Sequence, residues 1–511
     1  MRAWDGRRIG LVAGILCFVA ALLAPAPENM GPEAQKTAAV ALLMVCWWIS
    51  EAVHIGVTGF VPIVLIPLLG VNSSEAITAH YANPLIFLFI GGFVIAYGME
   101  AWNLHRRIAL TTIARFGSRP RRLVLGFMVT TAVLSMWISN TATTMMLLPV
   151  AMAVAGQLAE SAEVRGVPDR REASRLARES LGCILLLGVA YSASIGGIGT
   201  IVGSPTNLAF VGFASESLPD LPAIGFVQWS MVCLPIVAAF LPLAWLYLCR
   251  FSGPTPLCKM RFARSQSVIR KELAALGPIT MPERRVLAVA SLTALLWVTR
   301  APLQIGAVKL GGWSQLFPAP GYIHDSCVAM AMAVLLFLLP SGRGRGGRAG
   351  RLLDWRGTAR GVPWGIVFLI GGGLALAGEI ARSGLAEWLG SWLAGLQGVP
   401  GWVLVIAICV TTTALTETAS NVAAVLMLSP AIAAMAAEVG AHPYLLLLPM
   451  AVTASFAFTM PVATPPNAII FSSGWITIPQ MVRAGIVLDL IGLLIVPAAV
   501  YAIGAGLFGF G

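Results

Sequence analysis

The chain alternates long apolar stretches with short polar segments. Most of the apolar stretches are long enough to cross a hydrocarbon core about 30 Å thick as helices. The stretches predicted to span the membrane are 9–24, 37–53, 55–69, 84–99, 181–203, 225–249, 286–299, 326–340, 363–379, 444–463 and 484–510. Two further apolar regions, 123–157 and 402–437, are each divided by a short polar sequence. The pattern predicts an all-α polytopic membrane protein with eleven transmembrane helices and two further hairpins.

Composition supports a membrane protein and excludes a typical soluble enzyme. Hydrophobic residues make up 58% of the 511 positions and charged residues 11%, outside the usual range of soluble domains. The net charge is +11, but the basic residues are spread over several loops rather than gathered in one patch. We therefore expect no nucleic-acid partner and expect the lipid bilayer as the surroundings.

The basic residues occur in alternate loops, which predicts the topology. They are concentrated at Arg2–Arg8, Arg106–Arg122, Arg165–Arg178, Arg250–Arg285 and Arg343–Arg360, whereas the intervening loops hold only Lys36, Arg300, Lys309 and Arg382. The positive-inside rule then puts the N-terminus in the cytoplasm and, after eleven crossings, the C-terminus outside. The sequence Ala24-Pro25-Ala26 after the first stretch resembles a signal cleavage site, but this topology needs that stretch as the first span.

Two kinds of polar interruption occur in each half of the chain. The first half has Ser139-Asn140-Thr141 and, later, Gly203-Ser204-Pro205-Thr206-Asn207; the second has Ser420-Asn421-Val422 and Ala463-Thr464-Pro465-Pro466-Asn467. Polar backbone at membrane depth is tolerated only where it is buried in protein or lines a wet cavity. Such pairs predict a solute site between two repeats, as in secondary transporters.

The two halves are predicted to be inverted copies of each other. Gly91-Gly92 lies 48 residues before Ser139, and Gly371-Gly372 lies 49 residues before Ser420, each distance counted from the first glycine. Five predicted spans separate the two glycine pairs, and this odd number turns the second copy upside down.

The segments around the polar motifs are predicted to be hairpins and interrupted helices. Each limb beside a Ser-Asn tip has about 15 residues and would be only about 22 Å long, so 123–157 and 402–437 are interpreted as re-entrant hairpins. Two spanning helices joined in the membrane centre would break the charge pattern. In 181–216 and 444–474 the prolines predict interrupted helices, with a kink in an unbroken helix as the alternative.

The polar motifs offer oxygen atoms to a cation and N–H groups to an anion. Carbonyl groups at helix ends suit a hard cation, and N–H groups at helix starts suit an anion. No carboxylate cage suggests calcium or magnesium. No Lys or Arg occurs within the motifs, so we hypothesise that bound cations compensate a bound anion. Glu417 is the one acid beside a motif and is either a proton relay or cation ligand, or faces away and pairs with a polar neighbour.

Other reactive residues do not form recognisable sites. The eight cysteines lack Cys-x-x-Cys spacing, so we expect neither a disulfide framework nor a metal site formed by them. The five histidines do not cluster and are interpreted as interfacial. No organic cofactor is expected. The sequence disfavours an intramembrane hydrolase, because such an enzyme needs paired catalytic groups. It also disfavours a receptor or structural protein, which would not need duplicated broken helices.

The motifs resemble those of the divalent anion/sodium symporter family, which includes INDY-type dicarboxylate and citrate carriers. Ser-Asn-Thr with Gly-Ser-Pro-Thr-Asn, and Ser-Asn-Val with Ala-Thr-Pro-Pro-Asn, carry the resemblance. Two further segments are similar to sequences of the family. They are Phe368–Ala377 with Ser383-Gly384-Leu385, and Leu276-Gly277-Pro278-Ile279-Thr280 with Glu283. The resemblance covers nearly the whole chain.

The resemblance implies a homodimer that works as an elevator. A scaffold domain would hold the dimer, and a transport domain would carry the solute and sodium. The implied division is 1–122 (scaffold helices 1–4), 123–250 (hairpin 1, broken helix 5 and helix 6 of the transport domain), 251–400 (a cytoplasmic amphipathic segment and scaffold helices 7–9) and 401–511 (hairpin 2, broken helix 10 and helix 11 of the transport domain).

The resemblance also implies the residues of the site. One Na+ would bind Ser135, Ser139, Asn140 and Gly203, and the other Thr416, Ala419, Ser420, Asn421 and Ala463; the anion would contact Asn140, Thr141, Ser204, Ser420, Asn421, Val422, Thr464 and Pro465. Many bacterial members have Thr where this chain has Val422. A lost hydroxyl donor costs on the order of 1 to 3 kcal/mol if it is not replaced, so this position bears on substrate preference.

The resemblance implies a sodium-coupled transporter that imports C4-dicarboxylates such as succinate, malate and fumarate across the cytoplasmic (inner) membrane. Alternatives within the same fold are a dicarboxylate exchanger and a citrate or sulfate carrier. Both cation sites look complete in the sequence, which favours symport over exchange.

Overall fold

The computed structural model of the chain describes residues 4–116, 119–160, 162–251, 257, 260–262, 266–305, 308–343 and 349–509. Parts of the predicted basic loops, including Arg2 and residues 344–348, lie outside the described residues. The described chain is helical apart from three short antiparallel strand pairs in loops.

Helices carry the architecture. In the first half they are α1 (Trp4–Leu23), α2 (Pro32–Ser50), α3 (Ile55–Thr58), α4 (Val61–Leu68), α5 (Ser74–Ala79), α6 (Pro84–Ala101), α7 (Leu104–Arg115), α8 (Pro120–Ser135), α9 (Asn140–Glu160), α10 (Arg170–Gly197), α11 (Pro205–Ser217) and α12 (Phe226–Phe251). In the second half they are α13 (Gln266–Ala275), α14 (Met281–Thr299), α15 (Asp325–Leu338), α16 (Trp355–Gly361), α17 (Trp364–Arg382), α18 (Leu385–Leu393), α19 (Gly401–Thr416), α20 (Asn421–Glu438), α21 (Pro443–Thr453), α22 (Pro465–Ser472), α23 (Ile478–Ala499) and α24 (Ala505–Phe508).

The strands form three two-stranded sheets. The pairs are β1 (Ala162–Val164) with β2 (Met260–Phe262), β3 (Leu303–Ile305) with β4 (Val308–Leu310), and β5 (Pro340–Arg343) with β6 (Ala349–Arg351). The first pair joins the loop after α9 to the loop after α12, so it brings together loops that are far apart in the sequence.

Helix lengths agree with a polytopic membrane protein but differ in detail from the predicted spans. In the described chain, eight helical stretches are long and apolar enough to cross a membrane, and four shorter apolar ones accompany them. The predicted span 55–69 is divided into α3 and α4, and 444–463 is not one helix, because α21 ends at Thr453. The helix predicted to begin near 181 begins at Arg170 and has 28 residues.

The length argument for the two hairpins was wrong for their second limbs. With 21 residues, α9 is long enough to cross a membrane, and α20 has 18 residues rather than about 15. Contacts at the outer ends nevertheless join the limbs on one side. The indole N–H of Trp245 near the end of α12 donates to the carbonyl of Arg121 at the start of α8 over 2.8 Å, and β1 after α9 pairs with β2 after the same α12. Gln397 before α19 donates to Glu438 at the end of α20 over 2.8 Å.

One set of loop contacts gathers the ends of helices that carry basic residues. Arg107 in α7 bonds to Glu283 over 2.8 Å and to the carbonyl of Gly277 over 2.8 Å. Glu283 also completes a capping box with Thr280 at the start of α14. The Leu276–Glu283 sequence noted above therefore begins a helix and receives an arginine, which gives it a structural role.

A second set of loop contacts gathers the opposite helix ends. Arg382 at the end of α17 pairs with Glu379 at 2.9 Å and with Glu33 at 3.1 Å. His80 pairs with Glu216 at the end of α11 at 2.9 Å. The described contacts therefore separate helix ends into two groups, one of them rich in arginine.

Close helix contacts depend on glycine. A Cβ atom at Gly196 in α10 would lie 2.3 to 2.6 Å from backbone atoms of Ala132 in α8. A Cβ atom at Gly372 in α17 would lie 2.4 Å from the carbonyl oxygen of Gly59. The backbones touch at both points, between α10 and α8 and between α17 and the turn after α3, so a side chain at either position would force them apart.

We expect Gly196→Ala to destabilise the protein, because its methyl group would overlap the backbone of α8. Overpacking of this kind costs about 1–3 kcal/mol or more, which thermal unfolding in detergent would detect as a lower midpoint. The matched control is Gly156→Ala in α9, where nothing lies within 4 Å of the added atom; there we expect a gain of about 0.5–1 kcal/mol in helix stability. Equal midpoints for Gly196→Ala and wild type would contradict the contact between α8 and α10.

Candidate functional site

The two Ser-Asn motifs form tight tips between helices. In the first half α8 ends at Ser135 and α9 begins at Asn140; in the second half α19 ends at Thr416 and α20 begins at Asn421. Ser135 Oγ donates to Asn140 Oδ1 over 2.5 Å, and Ser139 Oγ accepts the N–H of Ala142 over 3.2 Å. The tips thus combine hydroxyl and amide oxygens with the first N–H groups of a helix.

The two Pro-Asn motifs lie at interruptions of long helices. In the first half α-helix ends at Gly197, a short 3₁₀ helix follows at Ile201–Gly203, and α-helix resumes at Pro205. In the second half α-helix ends at Thr453 and resumes at Pro465. Ser204 and Thr464 cap the resumed helices, each accepting a backbone N–H over 3.3 Å. Pro465 and Pro466 carry no N–H. The start of α22 therefore offers a ligand the hydroxyl hydrogen of Thr464 rather than backbone N–H donors.

Asn207 and Asn467 hold the two interruptions in the same way. Asn207 Nδ2 donates to the carbonyls of Gly197 and Thr200 over 2.9 and 2.8 Å. Asn467 Nδ2 donates to the carbonyls ten and seven residues before it, those of Ala457 and Met460, over 2.9 and 3.0 Å. The identical spacing shows that each asparagine closes the loop that precedes its helix.

In the first half the hairpin tip packs directly on the interruption. A Cβ atom at Gly197 would lie 2.5 Å from Asn140 Oδ1, and one at Gly203 would lie 2.5 Å from the carbonyl oxygen of Gly197 and 3.0 Å from that of Ser135. Thr200 Oγ1 donates to the carbonyl of Met136 over 2.5 Å. Several oxygen atoms converge here, and such ligands suit a hard monovalent cation.

In the second half Glu417 joins the tip to the interruption. Its carboxylate accepts the N–H groups of Thr459 and Met460 over 2.9 and 2.8 Å. Thr459 Oγ1 in turn donates to Asp489 Oδ2 over 2.8 Å. Glu417 therefore does not face away from the motifs; it binds free backbone donors of the interrupted helix.

Burial separates the predicted ligands into two groups. Ser135, Gly203, Thr416, Ala419 and Ala463 are buried, as are Ser204, Val422 and Thr464; Ser139, Asn140, Thr141, Ser420 and Asn421 are half-buried, and Pro465 is exposed. Most of the residues predicted to bind sodium are thus enclosed, and most tip residues predicted to contact the anion retain some access. The side-chain oxygen of Asn421 is buried with no hydrogen-bond partner in the described chain, so it is an oxygen atom that could coordinate a cation.

The two halves meet through helices that cross between them. The limb α9 packs against α22, and α20 packs against α11. The direct polar contacts, by contrast, join each tip to the interruption of its own half. Packing between the halves therefore gathers the four motifs into one bundle.

The sequence did not predict the roles of three polar residues whose hydrogen bonds hold the interruptions in place. Asn207 and Asn467 were part of the quoted motifs but were not predicted to have a role, although both follow a proline by one or two residues. Asp489 is not among the residues predicted from the sequence to form the site, and only the fold brings it next to Thr459. An acid within the long apolar α23 was the available signal.

Comparison with known sequences finds extensive similarity. A family model described as the transmembrane region of sodium:sulfate symporters matches residues 6–508. The sodium-dependent dicarboxylate transporter SdcS of Staphylococcus saprophyticus is 36% identical over 496 residues, which cover 97% of this chain and 91% of that protein. SdcS of Staphylococcus aureus is 37% identical over 498 residues, with coverage of 97% and 91%.

Comparison with solved structures finds a shared fold. Neisseria gonorrhoeae MtrF, described among antimetabolite efflux pumps, matches with a TM-score of 0.55 at 12% identity, over 97% of this chain and 94% of that one. The Alcanivorax borkumensis YdaH transporter matches with a TM-score of 0.50 at 14% identity, over 94% and 100%. At such low identity the likeness concerns the fold alone.

We expect Asn207→Ala to destabilise the first interruption, because it removes the side-chain donor from the carbonyl of Gly197 and one of the two donors from the carbonyl of Thr200, which also accepts the N–H of Gly203 over 3.3 Å. The cost should be about 1–3 kcal/mol, measured as a lower unfolding midpoint in detergent. Asn207→Asp keeps the shape but loses the donor, so it should be at least as harmful, and Asn467→Ala should behave alike. Ser472→Ala, on the exposed side of α22, is the control. Wild-type stability of Asn207→Asp would show that the amide does not hold the loop.

Proposed function

This chain belongs to the divalent anion/sodium symporter family, and we propose that it imports C4-dicarboxylates such as succinate, malate and fumarate together with Na+. The family consists of transporters, so the chain is a multi-pass membrane transporter and not an enzyme. The observation that carries the proposal is the pair of oxygen-rich tips, each closed against an interrupted helix, in motifs without Lys or Arg. The names of the staphylococcal relatives support sodium and a dicarboxylate as the solutes.

We propose that each tip helps to bind one Na+. The first ion would contact Ser135, Ser139, Asn140 and Gly203, and the second would contact Thr416, Ala419, Ser420, Asn421 and Ala463. Carbonyl oxygens meeting at Gly203 support the first site, and the unpartnered oxygen of Asn421 supports the second. Each set offers neutral oxygen atoms, which suit an alkali ion better than a divalent one.

The dicarboxylate would lie between the tips. Its proposed contacts are Asn140, Thr141, Ser204, Ser420, Asn421, Val422, Thr464 and Pro465. Backbone N–H groups at the starts of α9 and α20 would meet the two carboxylates, helped by the partial positive charge of a helix start. The hydroxyl groups of Ser204 and Thr464 each accept an N–H and keep their own hydrogen for the anion.

The negative charge of the dicarboxylate would couple its transport to that of Na+. A dianion at membrane depth without basic side chains is strongly disfavoured, and two helix starts supply only about half a charge each. Bound Na+ would provide the remaining compensation, so the anion should bind well only after the cations. This requirement would link uptake of the solute to the sodium gradient.

Val422 bears on which divalent anion is preferred. Its side chain is buried and has no hydrogen-bond donor, so only its backbone N–H could reach a carboxylate. Citrate and sulfate remain alternative substrates, since the matching family model is described by sulfate. An exchanger of the same fold is the other alternative, and the two complete sets of cation ligands favour symport.

We propose an elevator mechanism in a homodimer. Residues 123–250 and 401–511 would form the moving transport domain, with 1–122 and 251–400 as the scaffold and loops. Contacts of α9 with α22 and of α11 with α20 support motion of the two site-forming segments as one unit. The glycine pairs and the common design of the interruptions support an inverted repeat.

We propose that the N-terminus is cytoplasmic and the C-terminus is outside, in the cytoplasmic (inner) membrane. The arginine-rich set of helix ends, which includes the Arg107–Glu283 pair, would be the cytoplasmic side. The opposite set, with Arg382 and His80, would face outside. The positive-inside rule supports this orientation.

Purified protein in proteoliposomes should accumulate radiolabelled succinate with an inward Na+ gradient and not with potassium or choline. Asn140→Ala or Asn421→Ala should reduce uptake to the background of empty vesicles, because each removes an oxygen ligand at a tip. Ser391→Ala changes an exposed residue of α18, outside the four motifs, and is the control that should keep wild-type uptake. Uptake that requires preloaded dicarboxylate, whatever the cation, would indicate an exchanger, and unchanged uptake in both asparagine variants would contradict the site.

Single cysteines in a cysteine-free background should report the orientation. Gly350→Cys, exposed in β6, should react with a membrane-impermeant maleimide only in inside-out vesicles, and Tyr322→Cys, 88% exposed, only in intact cells. The reverse labelling pattern would overturn the proposed topology.

A further inference from the structure

One polar contact between the proposed scaffold and the proposed moving domain is centred on Glu216. This acid lies near the end of α11, and each oxygen of its carboxylate meets a side chain from the segment before α6. His80 Nδ1 lies 2.9 Å from Oε2, and Asn83 Nδ2 donates to Oε1 over 2.7 Å. The two partners lie 136 and 133 residues away along the chain. We call these two bonds the Glu216 contact.

The two donors are held in place by the scaffold itself. Asn83 Oδ1 accepts the N–H of Leu85 over 2.8 Å and so caps α6, which turns the amide NH2 group towards Glu216. The His80 ring lies against α17, where a Cβ atom at Gly378 would be 2.8 Å from Cε1 of the ring. Both donors are therefore fixed before the acid arrives, and a carboxylate that leaves them loses both bonds together.

Glu216 depends on these donors for its polar partners. Among the described residues, no basic side chain of its own domain forms an ion pair with it. Arg382 of the scaffold bonds instead to Glu379 and Glu33. The side chain of Glu216 is 17% exposed and that of His80 is 23% exposed. Movement of α11 away from the scaffold therefore leaves a half-buried carboxylate without its donors, which costs free energy unless other donors replace them.

The Glu216 contact lies on the closed side of the candidate site. Residues 206–214 of α11 are all buried, and both α11 and α20 pack against α17. Beside α22, by contrast, Pro465 is exposed and Val462 is 83% exposed. The described arrangement thus encloses the first Pro-Asn motif, next to α11, and leaves part of the second motif exposed.

The counterpart positions of the other half do not offer this contact. The spacing from the Pro-Asn motifs places Ile476 at the position of Glu216, and the spacing from the glycine pairs places Arg360 and Pro363 at the positions of the two donors. Ile476 is buried and has no carboxylate. In an inverted repeat the opposite arrangement brings the counterpart segments together, so it would lack an equivalent bond. The contact therefore favours the described arrangement over its opposite.

We propose that Glu216 is a positioning residue of the transport cycle, which holds α11 against the scaffold through His80 and Asn83 and leaves both donors when the site changes sides. The contact stabilises the arrangement that is closed beside α11 and slows its opening. This inference rests on the proposed function in so far as residues 123–250 move relative to residues 1–122. The equilibrium between the two arrangements is a property of the protein that needs no transported solute to be measured.

The test measures distances between the two domains in the purified full-length protein. Spin labels are attached to Glu75→Cys in α5 and Asp220→Cys in the loop after α11, both at exposed positions, in a cysteine-free background. Double electron–electron resonance then gives the populations of the two arrangements. Asn83→Asp keeps the cap of α6 but sets a carboxylate against Glu216. The ratio of the opposite to the described arrangement should therefore rise at least about tenfold.

An exchange of the two groups should reverse this effect. The combined variant Asn83→Asp with Glu216→Gln swaps the amide and the carboxylate, so the bond can form again with donor and acceptor reversed. Its populations should return towards those of wild type, a rescue that a merely structural role of either residue would not give. Asn72→Asp is the matched control, because Asn72 donates to Glu379 over 2.6 Å within the scaffold. It should leave the populations unchanged.

Identical distance distributions in wild type and Asn83→Asp, or an equal change in Asn72→Asp, would overturn the inference. Should Asn83→Asp fail to fold, His80→Ala removes the other donor and should shift the populations in the same direction. Absence of sodium-driven succinate uptake by wild type would contradict the proposed function alone, because the distances are measured without transport.

Discussion

The structure depends on the need to satisfy backbone polar groups inside a membrane protein. An interrupted helix frees carbonyl and N–H groups, and water is scarce at that depth. Asn207 and Asn467 meet this need by donating to two carbonyls each. Glu417 meets it from the other direction by accepting two N–H groups. Oxygens that remain free around these bonds become available to a cation.

The same constraint explains how the anion site proposed here can lack basic side chains. Where two helices are interrupted near each other, their starts and ends lie close together. N–H groups that can bind an anion then lie beside carbonyl groups that can bind cations. A lysine or arginine would hold the anion without any need for Na+. Neutral ligands make anion binding depend on the cations, which is the physical basis of the coupling proposed here.

The halves share this design and differ in how the tip meets the interruption. In the first half the contact is close and involves glycine, with Gly197 and Gly203 against the tip. In the second half a carboxylate spans the contact and continues through Thr459 to Asp489. Two halves can thus keep one backbone geometry while one of them has an additional pair of carboxyl groups.

The sequence by itself determined the membrane character, the helix interruptions and the family, because apolar length, proline and paired Ser-Asn motifs are local signals. It also located the tips, since α9 and α20 begin at the predicted asparagines. Only the tertiary structure decided the lengths of the hairpin limbs, the donors from Asn207 and Asn467, and the meeting of Glu417 with Asp489. These features depend on contacts between helices distant in the chain, for which a single sequence carries no periodic signal.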